Sequence, residues 1–426
     1  MISLLKTSSI IFGFLIGLNS FALTPVPNND QKPVAKVFIN ANIHVGNGQV
    51  LENAQFAIEG GQIKRAGYYK MALTGNEIDL KGQHIYPGFI LTNTDLGLTE
   101  ISSVRASNDS RETGQLNPNV RSIIAYNTDS ERIPTMRFNG ILLAQTTPMG
   151  GLVSGTSSIV QLDAWNWEDA AIKIDDGMHI NWPTQWSKRF DRSTMSVSLN
   201  EDKQYPEKVN QIKSLFTDAK VDKTNTNLKL NAIKKVLAEK TQVYIHTNNP
   251  KSIIESITFF DSIGIKNMVL VTGQAAAQTI DFIKASGISV ILSTTHALPQ
   301  QADTSVDSAY ALPAQLMDAG ILTALSYAGS MSARNLAFSA GTTATYGNDA
   351  NEALSLITLN AAKILGIDKE YGSLEVGKSA TFFISEGDAL DMRGNVIKEA
   401  YIDGRPIELH TRQQQLYERY KNKYKQ

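Results

Sequence analysis

The stretch Tyr86-Pro87-Gly88-Phe89-Ile90-Leu91-Thr92-Asn93-Thr94-Asp95-Leu96-Gly97 divides this chain into two hydrophobic patterns that belong to different architectures. Before it, Val37, Ile39, Ala41, Ile43 and Val45 alternate with mostly polar neighbours, and Phe56 and Ile58 continue in a second half-buried strand. Gly46-Asn47-Gly48 and Glu59-Gly60-Gly61 supply turns, because glycine accepts the positive φ that tight turns require. Strands so few and short cannot bury their own faces, so residues 35–88 need a partner from elsewhere in the chain. After the dividing stretch, apolar runs alternate with helical periodicity, the grammar of a βα architecture.

Downstream, residues 141–145, 158–162, 243–246, 268–271, 290–293 and 322–326 are short and apolar enough to be buried parallel strands. Ala171-Ile172-Lys173-Ile174 is a further candidate. Leu230, Ile233 and Leu237 recur at helical spacing, as do Ile253, Ile254 and Ile257, so each segment offers one apolar face. Asp349 and Glu352 have capping-box spacing ahead of a helix that Gly366 ends. This succession predicts an α/β chain in which residues 89–370 form a (β/α)8 TIM barrel. With 426 residues, 42% of them hydrophobic, the chain can fill such a core and a smaller unit beside it.

The N-terminus carries Lys6, an apolar run over 10–18 and then Ser20-Phe21-Ala22, the order of a secretory signal peptide. Residues 1–22 are expected to be cleaved, leaving Leu23 first, with a retained anchor as the alternative; the run is short for a bilayer, and no span is expected after cleavage. The protein is then secreted, and periplasmic in a Gram-negative bacterium. Residues 23–34, with Pro25, Pro27 and Pro33, read as a linker. Lys and Arg number 40 against 41 Asp and Glu, which excludes the basic footprint of a nucleic-acid binder. The lack of cysteine removes disulfides and thiolate zinc sites. Residues 411–426 form a polar helical tail with Tyr417, Tyr420 and Tyr424 at helical spacing, expected to dock on its own domain.

Several runs together resemble the amidohydrolase superfamily in its secreted, imidazolonepropionase-like branch. They are Pro87-Gly88-Phe89-Ile90, Gly150-Gly151-Leu152-Val153-Ser154-Gly155, Ser326-Tyr327-Ala328-Gly329-Ser330 with Ala333-Arg334-Asn335-Leu336, and Thr358-Leu359-Asn360-Ala361-Ala362. The resemblance implies that strands in 371–410, including Thr381-Phe382-Phe383-Ile384 and the turn Asp403-Gly404-Arg405, complete the sheet begun by 35–88. The barrel is then inserted in a small composite β-sandwich built from both chain ends. It also implies hydrolysis of non-peptide C–N bonds or dipeptides by metal-bound hydroxide, with ligands at the C-terminal ends of the strands and an aspartate after strand eight. Several positions depart from that pattern. The two strand-one histidines are replaced by Asn93 and Asp95, the acid after the Pro-Gly pair by Leu91, and the strand-eight acid by Ala328; strand six ends in Thr272-Gly273. A carboxamide is a weak neutral ligand beside imidazole, and alanine cannot accept a proton, so no catalytic residue is identified.

His246 matches the strand-five metal histidine, and His179 lies where relatives place strand four. Asp95, His246 and His179 are the candidate ligands for one divalent ion, zinc or manganese. The bland alternatives are a loop carboxylate capping a backbone N–H and a strand-end histidine satisfied by hydrogen bonds. Asn93, Thr272, His296, Trp165 and Trp167 are candidate pocket residues, with the two indoles, which follow Asp163, placed near the barrel mouth. Two expectations follow. One is a degraded metal site on a non-catalytic binding or partner protein, taking a small amide or peptide-like ligand, a hydrolase paralogue or a second copy of itself. The other is an active secreted C–N hydrolase with an unusual single-metal site, which requires Asp95, His246 and His179 to converge.

Overall fold

The alternating N-terminal segment folds into β1 (Lys36–His44), β2 (Val50–Glu59) and β3 (Gln62–Gly67), an antiparallel meander. The short strands β4 (Ile78–Asp79) and β5 (His84–Pro87) then pair parallel to β1. At Gly88 the chain leaves this sheet and starts β6 (Phe89–Thr94). A Cβ on Gly88 would lie 2.9 Å from Leu142 Cδ1 and 3.0 Å from Thr381 Cγ2, so a residue without a side chain is needed where the strand passes between two packed layers. The structure is a computed structural model that describes residues 27, 31–69, 77–293, 295–299, 303–327, 329 and 331–424. The expected leader and Ala328 lie outside those residues, as does most of the expected linker.

After β6 come β7 (Ile141–Thr146), β8 (Val153–Gln161) and β9 (Ala171–Asn181). A separate two-stranded ribbon follows, β10 (Trp186–Asp191) and β11 (Ser196–Glu201), and then β12 (Gln242–His246), β13 (Met268–Thr272), β14 (Ser289–Leu292) and β15 (Thr323–Leu325). β6 to β9 and β12 to β15 hydrogen-bond in one sheet in chain order, and a parallel bridge from Thr92 to Ser326 brings its two edges together. Ser326 Oγ donates to Thr92 O at 2.6 Å and Thr92 Oγ1 to Leu325 O at 3.0 Å across that closure. The result is the expected TIM-type barrel with one departure: β8 runs antiparallel to both β7 and β9. Only residues 147–152 join β7 to β8, and a parallel crossover needs a dozen or more. The run expected as a parallel strand at 158–162 is therefore reversed.

Helices Tyr205–Val221, Leu228–Leu237, Pro250–Ser262 and Ser308–Asp318 bury apolar residues in the main core, Ile233 and Ile257 among them. The capping box forms at Asp349, but its helix ends at Ser355; a second one, Leu359–Leu365, runs to Gly366 at φ 65°. Inside the barrel Ile90, Leu143, Ile159, Tyr244, Val269, Ile291 and Ala324 pack as one cluster, drawn from seven of the eight strands.

The C-terminal strands β16 (Phe382–Ser385), β17 (Ile397–Ile402) and β18 (Arg405–Ile407) return to the first sheet, β16 pairing with β5. The accessory unit is one eight-stranded hydrogen-bonded sheet built from both ends of the chain. Phe38, Ile43, Phe56 and Ile85 from the front of the chain share a core with Phe382, Ile384 and Tyr401 from the back. Asp163, at the end of β8, pins the two units: it is buried against Arg137 of the barrel and 3.6 Å from Arg405 Nη1 of β18. The tail forms helix Arg412–Tyr424, but no residue of it is buried and Tyr417, Tyr420 and Tyr424 are exposed, so the aromatic stripe does not dock on its domain as expected. Among the described residues no helix is long and apolar enough to cross a membrane.

Candidate functional site

β9 and β12 lie side by side and parallel, with His179 opposite Tyr244 and Asn181 opposite His246. Residues two apart on a strand share a face, so Tyr244 and His246 project to the same side. His179 Nδ1 lies 2.7 Å from His246 Nε2, a hydrogen bond between the two rings, and the His179 ring stacks on Tyr244 with 4.6 Å between centroids and 7° between planes. Burial, reinforced by His246, pushes His179 well below the usual imidazole range, and burial takes His246 down to about 4. Both rings are thus neutral near pH 7, one nitrogen donating and the other accepting.

Tyr244 connects this pair to a second network. Its hydroxyl donates to Asp176 Oδ2 at 2.6 Å, and Gln145 Nε2 donates to the same oxygen at 2.9 Å and to Ser157 Oγ at 3.2 Å. Lys173 Nζ stands 2.7 Å from Asp176 Oδ1. Burial and the neighbouring Asp176 carboxylate raise Tyr244 well above the usual phenol range, which keeps it a donor. Gly177 makes the arrangement possible: a Cβ there would fall 2.2 Å from Tyr244 Cε2, inside the ring's own space.

Gln145 also reaches β6, where its Oε1 accepts the Asn93 backbone N–H at 3.0 Å. Asn93 has φ 48°, and the β6–β7 register slips between Leu91 and Thr94. Among the described residues its Oδ1 is buried without a hydrogen-bond partner, as are His179 Nε2, Thr247 Oγ1 and Thr272 Oγ1. These atoms sit at or beside the C-terminal ends of β6, β9, β12 and β13. A buried polar atom without a partner costs about 1–3 kcal/mol. Of these four, Thr272 shares the face of Leu270, turned to the helices, whereas His179 lies opposite Tyr244 on the inner face.

The remaining predicted residues are placed differently. Asp95 follows β6 in a turn closed by its own carbonyl, which accepts Leu98 N–H at 2.9 Å; the positive φ at Asn93 interrupts the alternation that would put the two on one face. His296 is exposed, with Nε2 2.8 Å from Thr342 Oγ1, and is not bonded to the imidazole pair. Trp165 and Trp167 are at the opposite end of the barrel from the mouth, because reversed β8 delivers its last residues there; Trp165 is exposed and Trp167 packs on the main core. Gln145, Ser157, Lys173, Asp176 and Tyr244 carry no motif of their own. The one signal was Tyr244, two residues before His246 on the same strand.

The sequence profile of the amidohydrolase family matches residues 184–407, more than half of the chain. The chain belongs to the amidohydrolase family. An amidohydrolase from Thermotoga maritima MSB8 shares its fold at a TM-score of 0.75 and 22% identity, covering 87% of this chain and 98% of that one. A prolidase complexed with N-methylphosphonate-L-proline superposes at 0.52 and 15% identity, covering 88% and 100%. An adenosine deaminase from Xanthomonas campestris with bound zinc superposes at 0.52 and 15%, covering 88% and 93%. No curated protein matches the chain.

Amidohydrolases of this superfamily typically hold divalent metal ions. In this one, no three His, Cys, Asp or Glu side chains among the described residues come together as a ligand group. The expected set of Asp95, His246 and His179 therefore does not assemble. What meets at the mouth is a pair of imidazoles bonded to each other. Zinc sites use at least three imidazole, thiolate or carboxylate donors, so this donor set does not fit the family's metal.

Proposed function

We propose that this amidohydrolase is a ligand-binding, non-hydrolytic member of its family that takes a small neutral amide or peptide-like molecule at the barrel mouth. The hydrogen bond between His179 and His246 carries this reading: the two imidazoles at family ligand positions use facing nitrogens on each other and stay neutral. Asn93 Oδ1 and His179 Nε2, both without a hydrogen-bond partner among the described residues, offer an acceptor and a ring nitrogen, which suits an amide that both donates and accepts. The prolidase of similar fold, with its proline-containing ligand, indicates the class to test first. The N-terminal pattern further supports secretion of the mature chain.

Two measurements on the purified protein, prepared without chelator or affinity metal, test this. Elemental analysis is expected to give far less than one equivalent of metal, and amides and dipeptides are expected to bind without being cleaved, with His246→Ala weakening their binding. About one equivalent of zinc or manganese that is lost in His246→Ala together with hydrolysis would instead establish the single-metal hydrolase.

A further inference from the structure

The ribbon β10–β11 leaves the barrel just after β9 and is closed at its base by Asp202 N–H donating to Gln185 O at 2.9 Å. Lys251 Nζ donates to Gln185 Oε1 at 2.9 Å, which ties that base to the first turn of helix Pro250–Ser262. By register, Trp186, Phe190, Val197 and Leu199 fall on one face of the ribbon, and all four are exposed. The base of that face, Trp186 and Leu199, forms one wall of an open cleft of about 840 Å³, with Leu312 and the loops after β12 and β13 opposite. That volume is in the range of small-molecule sites. No charged side chain is among its described lining.

Two amides on this lining have their orientation fixed. Asn248 Oδ1 accepts the backbone N–H groups of Gly273 at 3.2 Å and Ala275 at 3.0 Å, and Asn249 Oδ1 caps its helix by accepting Ser252 N–H at 3.2 Å. With both oxygens used, each side chain presents its Nδ2 as a donor without a partner among the described residues. Asn248 and Gln274 each follow within two residues of the ends of β12 and β13, which places the cleft on the same rim of the barrel as the imidazole pair.

From this we infer that the cleft is a specificity subsite for the uncharged apolar side chain of a peptide-like ligand, with Trp186 and Leu199 against the side chain and the Asn248 and Asn249 amides donating to ligand carbonyl oxygens. The inference rests on the ligand-binding reading of the mouth and adds the class of side chain selected. Among the described lining residues a charged side chain meets no counter-ion, and it gives up part of its hydration on entry. Asn248→Asp keeps the acceptor that holds Gly273 and Ala275 while removing the donor, so it separates recognition from folding.

Binding of acetyl-Gly-Leu-amide and acetyl-Gly-Phe-amide, measured by ligand-observed NMR on the full chain against the Lys and Glu counterparts, tests the subsite. The apolar pair should bind at least about ten-fold tighter than the charged pair; Trp186→Ala should erase most of that preference, and Asn248→Asp should weaken the apolar pair several-fold, both at unchanged thermal midpoint. Equal binding of all four peptides, or a preference untouched by Trp186→Ala, overturns the subsite. If His246→Ala weakens all four equally while no preference exists, the mouth reading stands and the subsite falls. If Trp186→Ala abolishes the preference while His246→Ala changes nothing, the subsite stands and the mouth reading falls. Binding of none overturns both.

Discussion

Asp176 is a buried carboxylate whose Oδ2 takes hydrogen bonds from Tyr244 and Gln145 while its Oδ1 faces Lys173. Tyr244→Phe removes one of those donors and leaves the charge where it is, so the expected loss is about 1–3 kcal/mol, the cost of a broken hydrogen bond to a charged group. Asp163 is a harsher case. Its carboxylate separates Arg137 and Arg405, and burial already pulls Arg137 below the usual guanidinium range. Asp163→Asn removes the counter-charge between two inward cations, and the expected loss is about 3–5 kcal/mol. Urea denaturation of the two variants checks the order; an Asp163→Asn change within about 0.5 kcal/mol of the wild type would show that the ion pair does not hold barrel and sheet together.

At the scale of elements, β9 decides what the barrel interior contains, and Gly177 decides what β9 can accommodate. A methyl group there needs the space that Tyr244 fills, so Gly177→Ala should displace the ring, break its bond to Asp176 and cost about 2 kcal/mol or more. The penalty should shrink in a Tyr244→Ala background, and a double-mutant cycle by denaturation measures that coupling; strict additivity would refute the steric argument. Much of this architecture was legible beforehand. Alternation marked β1 and β2, apolar runs marked the barrel strands, and the Pro87-Gly88 junction marked where one sheet gives way to the other, because each signal is local. The direction of β8 was not readable: the apolar runs at 141–145 and 158–162 leave room for a crossover, and only the early start of β8 at Val153 shortens the link. The network around Asp176 was not readable. Gln145, Ser157, Asp176 and Tyr244 come from four strands, and nothing in any one strand announces the others.

For the molecule as a whole, the histidines set a direction for its response to acid. His44, His84, His179, His246 and His296 are all held below the usual imidazole range, mainly by burial, and His44 and His246 go down to about 4. An unfolded chain takes up protons at these sites near pH 6.5, whereas the folded chain leaves His44 and His246 neutral until about pH 4. The unfolded state therefore binds more protons across that window, so stability is complete above pH 6.5 and falls as the pH drops toward 4. For His44 the loss reaches about 3 kcal/mol at most, at 1.36 kcal/mol per pKa unit. The two sites lie in different units. His44 stacks on Tyr86 at 4.1 Å and bonds His84 at 2.9 Å in the composite sheet, with Asp388 opposing part of the shift, while His246 is at the barrel mouth. Acid should consequently loosen sheet and barrel over the same range rather than one before the other. Urea midpoints measured from pH 7 to 4.5 should fall steadily, and His44→Gln and His246→Gln should each flatten the profile by up to about 1.4 kcal/mol per pH unit. A wild-type profile that is level or rising toward pH 4.5 would mean that these rings are protonated in the folded protein, and with them the neutral imidazole pair at the mouth would have to be abandoned.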